Sequence, residues 1–162
     1  MEIGIISDTH DNIYNLQTAL DILQGEGVRT VLHCGDVCSP EMIWAMAGFD
    51  VWIAQGNLDR TSRLLGTVEE TFGHERLAWL QSPPLNGYAV AMLHGDNEEV
   101  LASLIRSGEY AYVFHGHTHL RRDQTVGRTH VINPGALGGR QPERRCFCIL
   151  DVETGKARFV EV

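Results

Sequence analysis

Basic charge is scarce in this chain: 13 Lys and Arg stand against 21 Asp and Glu, a formal net charge of -8 over 162 residues. A protein that holds nucleic acid by neutralising phosphates needs clustered Lys and Arg, so no nucleic-acid surface is expected. Long apolar runs are also missing; none approaches the ~20 residues of a membrane span, and no membrane partner is expected. The opening Met1-Glu2-Ile3-Gly4-Ile5-Ile6 lacks a basic segment followed by an apolar stretch and a cleavage site. We expect a cytoplasmic location. Cysteine is sparse, and the spacings Cys34/Cys38 and Cys146/Cys148 are not those of a structural zinc module, which points to reduced, mostly buried thiols. Internal repeats, linkers and low-complexity segments are absent. With 162 residues, 43% of them hydrophobic, the chain fits one domain over 1–162 with a sizeable core. The acidic excess has two readings: a solvated surface, or carboxylates gathered around cations, since two divalent ions would offset about half of it.

What is present is an alternation. Glu2 to Ser7 is an apolar run too short for a helix and reads as a buried strand, followed by Asp8-Thr9-His10-Asp11-Asn12. Ile13, Leu16, Leu20 and Leu23 then recur at helical spacing, with Asp11 or Asn12 placed to cap and Gly25 and Gly27 to end the helix. Val31 to Cys34 is strand-like and leads into Gly35-Asp36, and Pro40 opens a short helix through Met46. Val51 to Ala54 leads into Gly56-Asn57-Leu58-Asp59. Thr61 to Leu85 is less regular: a polar loop, a short helix around Glu75 to Leu80, then Pro83-Pro84, together a lid or side wall. Tyr88 to Leu93 is a strand ending in His94-Gly95-Asp96, and Asp96 or Asn97 caps a helix burying Leu101, Leu104 and Ile105. Tyr110 to Phe114 delivers His115-Gly116-His117-Thr118-His119. Beyond it only strands are expected: a hairpin of Arg122–Val126 and Thr129–Ile132, a turn at Asn133-Pro134-Gly135, and an antiparallel pair, Arg145–Val152 with Ala157–Val162. Two sheets packed face to face with helices outside follow from this order, an α/β fold.

In open α/β sheets ligands bind beyond the carboxyl ends of the strands, and βαβ connections bring those ends to one edge. Asp8, His10, Asp36, Asn57, His94, His117 and His119 all sit at such ends. If the last stretch is extended, side chains at i and i+2 point the same way, so His117 and His119 reach one pocket and two adjacent ions could each take one imidazole. His115 sits nearer the strand and reads as a core or supporting residue. His33, His74 and His130 read as ordinary structural or surface histidines. The mixed oxygen and nitrogen set suits two ions of the manganese, iron, zinc, cobalt or nickel kind better than calcium, with manganese first. A bridging carboxylate is needed, and the central Asp36 is the choice. Two ions about 3.5 to 4 Å apart activate a bridging hydroxide and stabilise in-line phosphoryl transfer.

Asp8-x-His10, Gly35-Asp36, Gly56-Asn57, His94-Gly95 and Gly116-His117-Thr118-His119, in that order, resemble the five motifs of the calcineurin-like metallophosphoesterases. The short length and Asn133-Pro134-Gly135 are similar to the small bacterial and archaeal phosphodiesterase branch. The resemblance runs from Glu2 to about Leu150 and implies a four-layer α-β-β-α sandwich of two mixed sheets. It assigns Asp8, His10, Asp36 and His119 to a first ion and Asp36, Asn57, His94 and His117 to a second. The substrate implied is a small phosphoester, a diester before a monoester; a homo-oligomer is compatible with the sequence.

Two departures matter. Many members carry a histidine directly after the motif asparagine, where it protonates the leaving group; here Leu58 stands there. Losing a general acid removes about 10² to 10⁴ in rate when the leaving group needs a proton, so aryl diesters are expected to be cleaved better than alkyl ones, with Asp59 or a metal-bound water as substitute acids. Asp11 replaces a usual glycine and either adds a carboxylate or caps a helix. Arg140 is a candidate phosphate ligand. The competing class is a binding protein: the retromer scaffold subunit resembles this fold and also lacks the catalytic histidine.

Overall fold

The structure, a computed structural model, describes residues 1–140 and 143–162. Its elements run β1 (Glu2–Ile6), α1 (Ile13–Gly25), β2 (Thr30–His33), α2 (Pro40–Ala45), β3 (Asp50–Ala54), α3 (Thr61–Phe72), β4 (Leu77–Ala78), β5 (Leu80–Gln81), β6 (Val90–Leu93), α4 (Glu98–Ser107), β7 (Tyr112–Phe114), β8 (Arg121–Val126), β9 (Thr129–Pro134), β10 (Cys146–Asp151) and β11 (Lys156–Glu161). They form a six-stranded sheet, β11-β10-β1-β2-β3-β4, and a five-stranded sheet, β5-β6-β7-β9-β8.

Three apolar clusters separate four layers. Leu16, Leu20 and Leu23 of α1, Met42 and Ile43 of α2 and Leu64 and Val68 of α3 pack with Ile6, Val31, Val51 and Ile53 on one face of the first sheet. The alternate residues Ile3, Ile5 and Leu32 point the other way, against Val90, Met92, Phe114 and Ile132 of the second sheet. The outer face of that sheet, Ala91, Leu93, Val113 and Val131, is covered by Leu101 and Ile105 of α4. Parallel strands buried on both faces read as unbroken apolar runs, which is why β1, β2, β3 and β6 show none of the alternation of a half-exposed strand. The expected α-β-β-α sandwich is therefore the observed one. Its two halves do not follow chain order, because β10 returns to pair antiparallel with β1.

Local chemistry sets the helix ends. Asn12, not Asp11, caps α1, its Oδ1 accepting the Asn15 N–H at 3.1 Å, and Asn97 caps α4 by accepting from Val100 N at 3.1 Å. Such caps contribute about 1 kcal/mol each. Glu98 and Glu99 occupy the first turn of α4 and Arg106 the last, each complementing the helix dipole, and Gly108 closes it in the left-handed conformation at φ 66.

Two expectations are corrected. The helix placed at Glu75 to Leu80 lies earlier, as α3, where Leu64 and Val68, four apart, bury one face completely. Residues around Leu77 to Gln81 instead supply two short strands, Ala78 pairing with Ala54 and Leu80 with Leu93, so that this segment passes from one sheet to the other. Asn133 and Pro134 belong to β9 rather than to a turn, Pro134 standing opposite Arg121 at the end of the ladder, a position where its missing N–H is tolerated. All four cysteines are free thiols, three buried and Cys38 half-buried. No helix among the described residues is long and apolar enough to cross a membrane.

Candidate metal centre

The carboxyl ends of β1, β2 and β3 in one sheet and of β6 and β7 in the other deliver all seven candidate ligands to one edge of the sandwich. Five of them leave the strands in the left-handed region: Asp8 (φ 52), His10 (φ 43), Asp36 (φ 56), His117 (φ 67) and His119 (φ 59). Non-glycine residues held there store strain that the surroundings must offset, a pattern that clusters at functional sites. The last stretch is consequently no extended segment; β7 stops at Phe114, and His117 and His119 separate instead of pointing the same way. Glycines beside the ligands permit close approach. A Cβ on Gly116 would lie 1.9 Å from Ser7 Oγ and 2.6 Å from Asp8 Oδ2, and one on Gly56 would lie 2.2 Å from Asp36 Oδ1.

The ligand atoms fall into two overlapping groups. Asp8 Oδ1 lies 3.2 Å from His119 Nε2 and 3.7 Å from His10 Nε2, and the two imidazole nitrogens are 3.3 Å apart. His94 Nε2 lies 3.4 Å from Asp36 Oδ2, 3.0 Å from Asn57 Oδ1 and 3.2 Å from His117 Nδ1. Asp36 Oδ2 also stands 3.7 Å from His10, and Asp8 Oδ1 4.0 Å from His94, so both carboxylates reach across. A carbonyl can only accept, so the Nδ1 of His94, 2.8 Å from Cys34 O, and the Nδ1 of His119, 2.6 Å from Arg140 O, each carry a hydrogen. In the neutral rings both Nε2 atoms are then bare lone pairs aimed at carboxylate oxygens, an arrangement that a cation resolves. The orphan is explicit at Asp8: Oδ2 accepts from Ser7 Oγ at 2.5 Å and from His117 N at 3.0 Å, whereas buried Oδ1 has no hydrogen-bond donor among the described residues. Carboxylate, imidazole and amide oxygen together make a donor set that fits divalent transition ions.

Electrostatics follow the same geometry. Burial opposes ionisation of Asp8, but His10 and His119 outweigh it and hold the carboxyl far below its ordinary range. Burial likewise works against charge on His94, and the Asp36 and Asp8 carboxylates overcome it, lifting the imidazole to about 9. Asp8 raises His119 in the same sense.

Other residues singled out from the sequence have different surroundings. Asp59 is 6% exposed, and its carboxylate accepts from the backbone N–H of Asp36, Cys38 and Gly56 at 3.0, 2.8 and 2.8 Å. It ties the second and third ligand loops together. Burial raises its pKa above the ordinary carboxyl value, and the Cys38, Gly56 and Asp36 N–H groups act against that rise. Leu58 is 53% exposed while its N–H donates to Asp36 Oδ1 at 2.9 Å. Arg140 is exposed and brings its carbonyl, not its guanidinium, to His119. His115 is buried, and its pKa is pushed down to about 4 by burial. Asp11 is exposed and does not cap.

Supporting residues went unnoticed in the sequence. Asn133, fully buried, donates from Nδ2 to Gly116 O at 2.8 Å and Thr118 Oγ1 at 3.1 Å and accepts the Gly135 N–H at 2.9 Å, clamping the loop of His117 and His119. Arg145 donates to the carbonyls of Gly138 and Gly139. A polar residue inside a turn signature gave no hint of such a clamp.

The chain matches the calcineurin-like phosphoesterase superfamily domain over residues 1–155. It is 34% identical to a phosphodiesterase of Methanocaldococcus jannaschii, over 99% of this chain and 98% of that one. It superposes on the structure of an archaeal phosphodiesterase with a TM-score of 0.91, at 32% identity and with 100% of both chains covered. Entamoeba histolytica Vps29 in complex with zinc shares the fold at a TM-score of 0.69 and 20% identity, over 100% of this chain and 98% of that one. With the match spanning nearly its whole length and its strand ends gathering carboxylates and imidazoles at one edge, the chain belongs to the calcineurin-like phosphoesterase superfamily.

Proposed function

We propose that the chain hydrolyses small phosphodiesters at a site for two divalent ions. The observation that carries this is the pair of buried carboxylate oxygens, Asp8 Oδ1 and Asp36 Oδ2, faced at 3.2 and 3.4 Å by the Nε2 atoms of His119 and His94. Asp8, His10, Asp36 and His119 would hold one ion; Asp36, Asn57, His94 and His117 would hold the other. Manganese suits the mixed oxygen and nitrogen set, with iron, zinc, cobalt and nickel as alternatives. Two such ions, when bound, supply an activated nucleophile and neutralise charge on the phosphoryl group.

The chain's own residues set the rest. The Leu58 N–H fixes Asp36 Oδ1, leaving Oδ2 for the shared position. Leu58 offers no proton, and Asp59 is occupied by three N–H groups, so the leaving oxygen departs without a proton from either. Esters of acidic alcohols should therefore react fastest. Assay of aryl and alkyl phosphodiesters and an aryl phosphomonoester with manganese, cobalt, zinc and nickel tests this. Metal-dependent cleavage of the aryl diester, steeply dependent on leaving-group pKa, is expected. Faster monoester cleavage would make the chain a phosphomonoesterase. No turnover with any of the four metals favours a protein-interaction scaffold, a reading that the exposed apolar Leu58 and the Vps29-like fold support.

A further inference from the structure

The outer face of the second sheet is covered by one helix, and beside it lies an open cavity of about 590 Å³, between α4 and the start of the edge strand β8. The size falls within the ~300–1,000 Å³ of small-molecule sites. Leu101, Ile105 and Val126 give it apolar walls. Gly95, next to His94, and Thr118, between His117 and His119, also line it, so the cavity touches both loops that carry imidazoles of the metal centre.

Two features ask for a ligand. His115 lines the cavity and is 3% exposed. Its Nδ1 lies 3.2 Å from Gly116 O and 3.4 Å from Asn133 Nδ2, whose two hydrogens go to Gly116 O and Thr118 Oγ1 at 2.8 and 3.1 Å, so Nδ1 donates to Gly116 O and Nε2 is left an acceptor, buried and without a partner among the described residues. Leaving such an acceptor unmatched is costly. The second feature is charge. Arg106 and Arg122 line the cavity against the single carboxylate of Glu98; Arg122 is bonded only to the neutral Gln124 Oε1, at 3.0 and 3.3 Å, and among the described residues neither arginine is paired with a carboxylate. Arg121 also lines it, but its charge is met by Glu143 and Glu161. In a chain of net charge -8 this is a local excess of positive charge over an apolar wall.

We infer that the cavity binds a small organic anion with a ring-sized apolar body and one hydrogen-bond donor. The body lies against Leu101, Ile105 and Val126, the donor meets His115 Nε2, and the anionic group meets Arg106 or Arg122. The site is separate from phosphoester hydrolysis and is tested without turnover. Calorimetric titration of the full chain with hydroxynaphthalenesulfonate, a sulfonate with no ester to cleave, should give saturable binding of one molecule per chain. Naphthalenesulfonate, lacking the hydroxyl donor, should bind about tenfold more weakly. Ala102→Trp fills the cavity and should abolish binding; Arg106→Glu, on the exposed helix face, should weaken it at least about tenfold, and Arg106→Lys should restore most of it. No saturable binding at about 1 mM, or equal affinity in Ala102→Trp and Arg106→Glu, overturns the assignment. Because Arg106 is exposed, loss of binding in that variant is not confused with loss of the fold.

Discussion

The two groups of candidate ligands hang from different parts of the molecule. His94 follows β6 directly, its side chain is fully buried, and its Nδ1–H rests on the carbonyl of Cys34, itself a core residue. His10 and His119 keep 17% and 14% of their side chains exposed, and His119 rests on the carbonyl of Arg140, an exposed loop residue. Folding of the core alone therefore sets His94, whereas Asn57 and His117 of the same group are exposed on their loops. The Asp8–His10–His119 group is complete only when the loop after β9 is in place, and loops lie at the low end of local stability. The centre has a buried anchor at His94 and gathers exposed loop ligands around it.

The largest effect is expected where the two halves meet. Asp36→Ala removes the oxygen 3.4 Å from His94 and 3.7 Å from His10; metal analysis should find both ions lost and turnover reduced at least about 10³-fold. His119→Ala should retain one ion, on the His94 side. If His119→Ala loses both, the distinction between the halves is gone.

His33 ties the halves together from beneath. Its Nδ1 accepts the Gly35 N–H at 3.2 Å, in the loop of Asp36, and its Nε2 meets Thr9 Oγ1 at 3.1 Å, in the loop of Asp8 and His10. Only the neutral ring can accept at Nδ1. Burial pushes its pKa from the ordinary 6.5 down to about 4, so as pH falls the unfolded chain takes the proton first. The stabilisation is complete above pH 6.5 and is lost as pH falls toward 4, amounting to about 3 kcal/mol. Urea unfolding from about pH 7 to about pH 4.5 should show this loss in the native chain and a flatter profile in His33→Gln. Equal slopes would mean that the loops are held by other contacts.

Much of this was legible in the amino-acid order, and the reasons are specific. Apolar runs such as Ile3 to Ile6 and Val90 to Leu93 announce strands because both faces are buried, and a carboxylate or imidazole straight after such a run has nowhere to go but the sheet edge. The α3 segment misled because Leu77, Ala78 and Leu80 look as helical as Leu64 and Val68 until β3 and β6 are there to pair with them, tertiary pairing overriding local preference. The orienting groups left no trace because several are main-chain carbonyls, Cys34 and Arg140 among them, for which any side chain would serve. The left-handed backbone at His117 and His119 was equally hidden, since no glycine marks it.

Leu58 offers a smaller effect that belongs to the His94 group. It neighbours Asn57, whose Oδ1 lies 3.0 Å from His94 Nε2, and about half of it is exposed. Leu58→His should raise alkyl diester turnover by up to about 10²-fold, the lower part of the range for a positioned general acid, and change aryl diester turnover little. Its metal content should stay at the native value. A uniform gain on both substrates would point to altered metal loading instead of proton donation.

The smallest effect tests the Asp8–His10–His119 group alone. Arg145 donates to the carbonyls of Gly138 and Gly139, the latter at 2.5 Å, just before the Arg140 carbonyl that takes the His119 Nδ1–H. Arg145→Met keeps the apolar stem and loses the fork. Removing the group that orients an imidazole ligand weakens metal binding roughly 10- to 100-fold; acting through one further residue, Arg145→Met should lie at the low end, about tenfold, and for one ion only. Competition with a chromogenic chelator should resolve one weakened and one unchanged affinity, and Arg145→Lys, which keeps a donor for one carbonyl, should fall between. Equal weakening of both affinities would mean that the shared Asp36 and Asp8 couple the halves more strongly than their separate supports divide them.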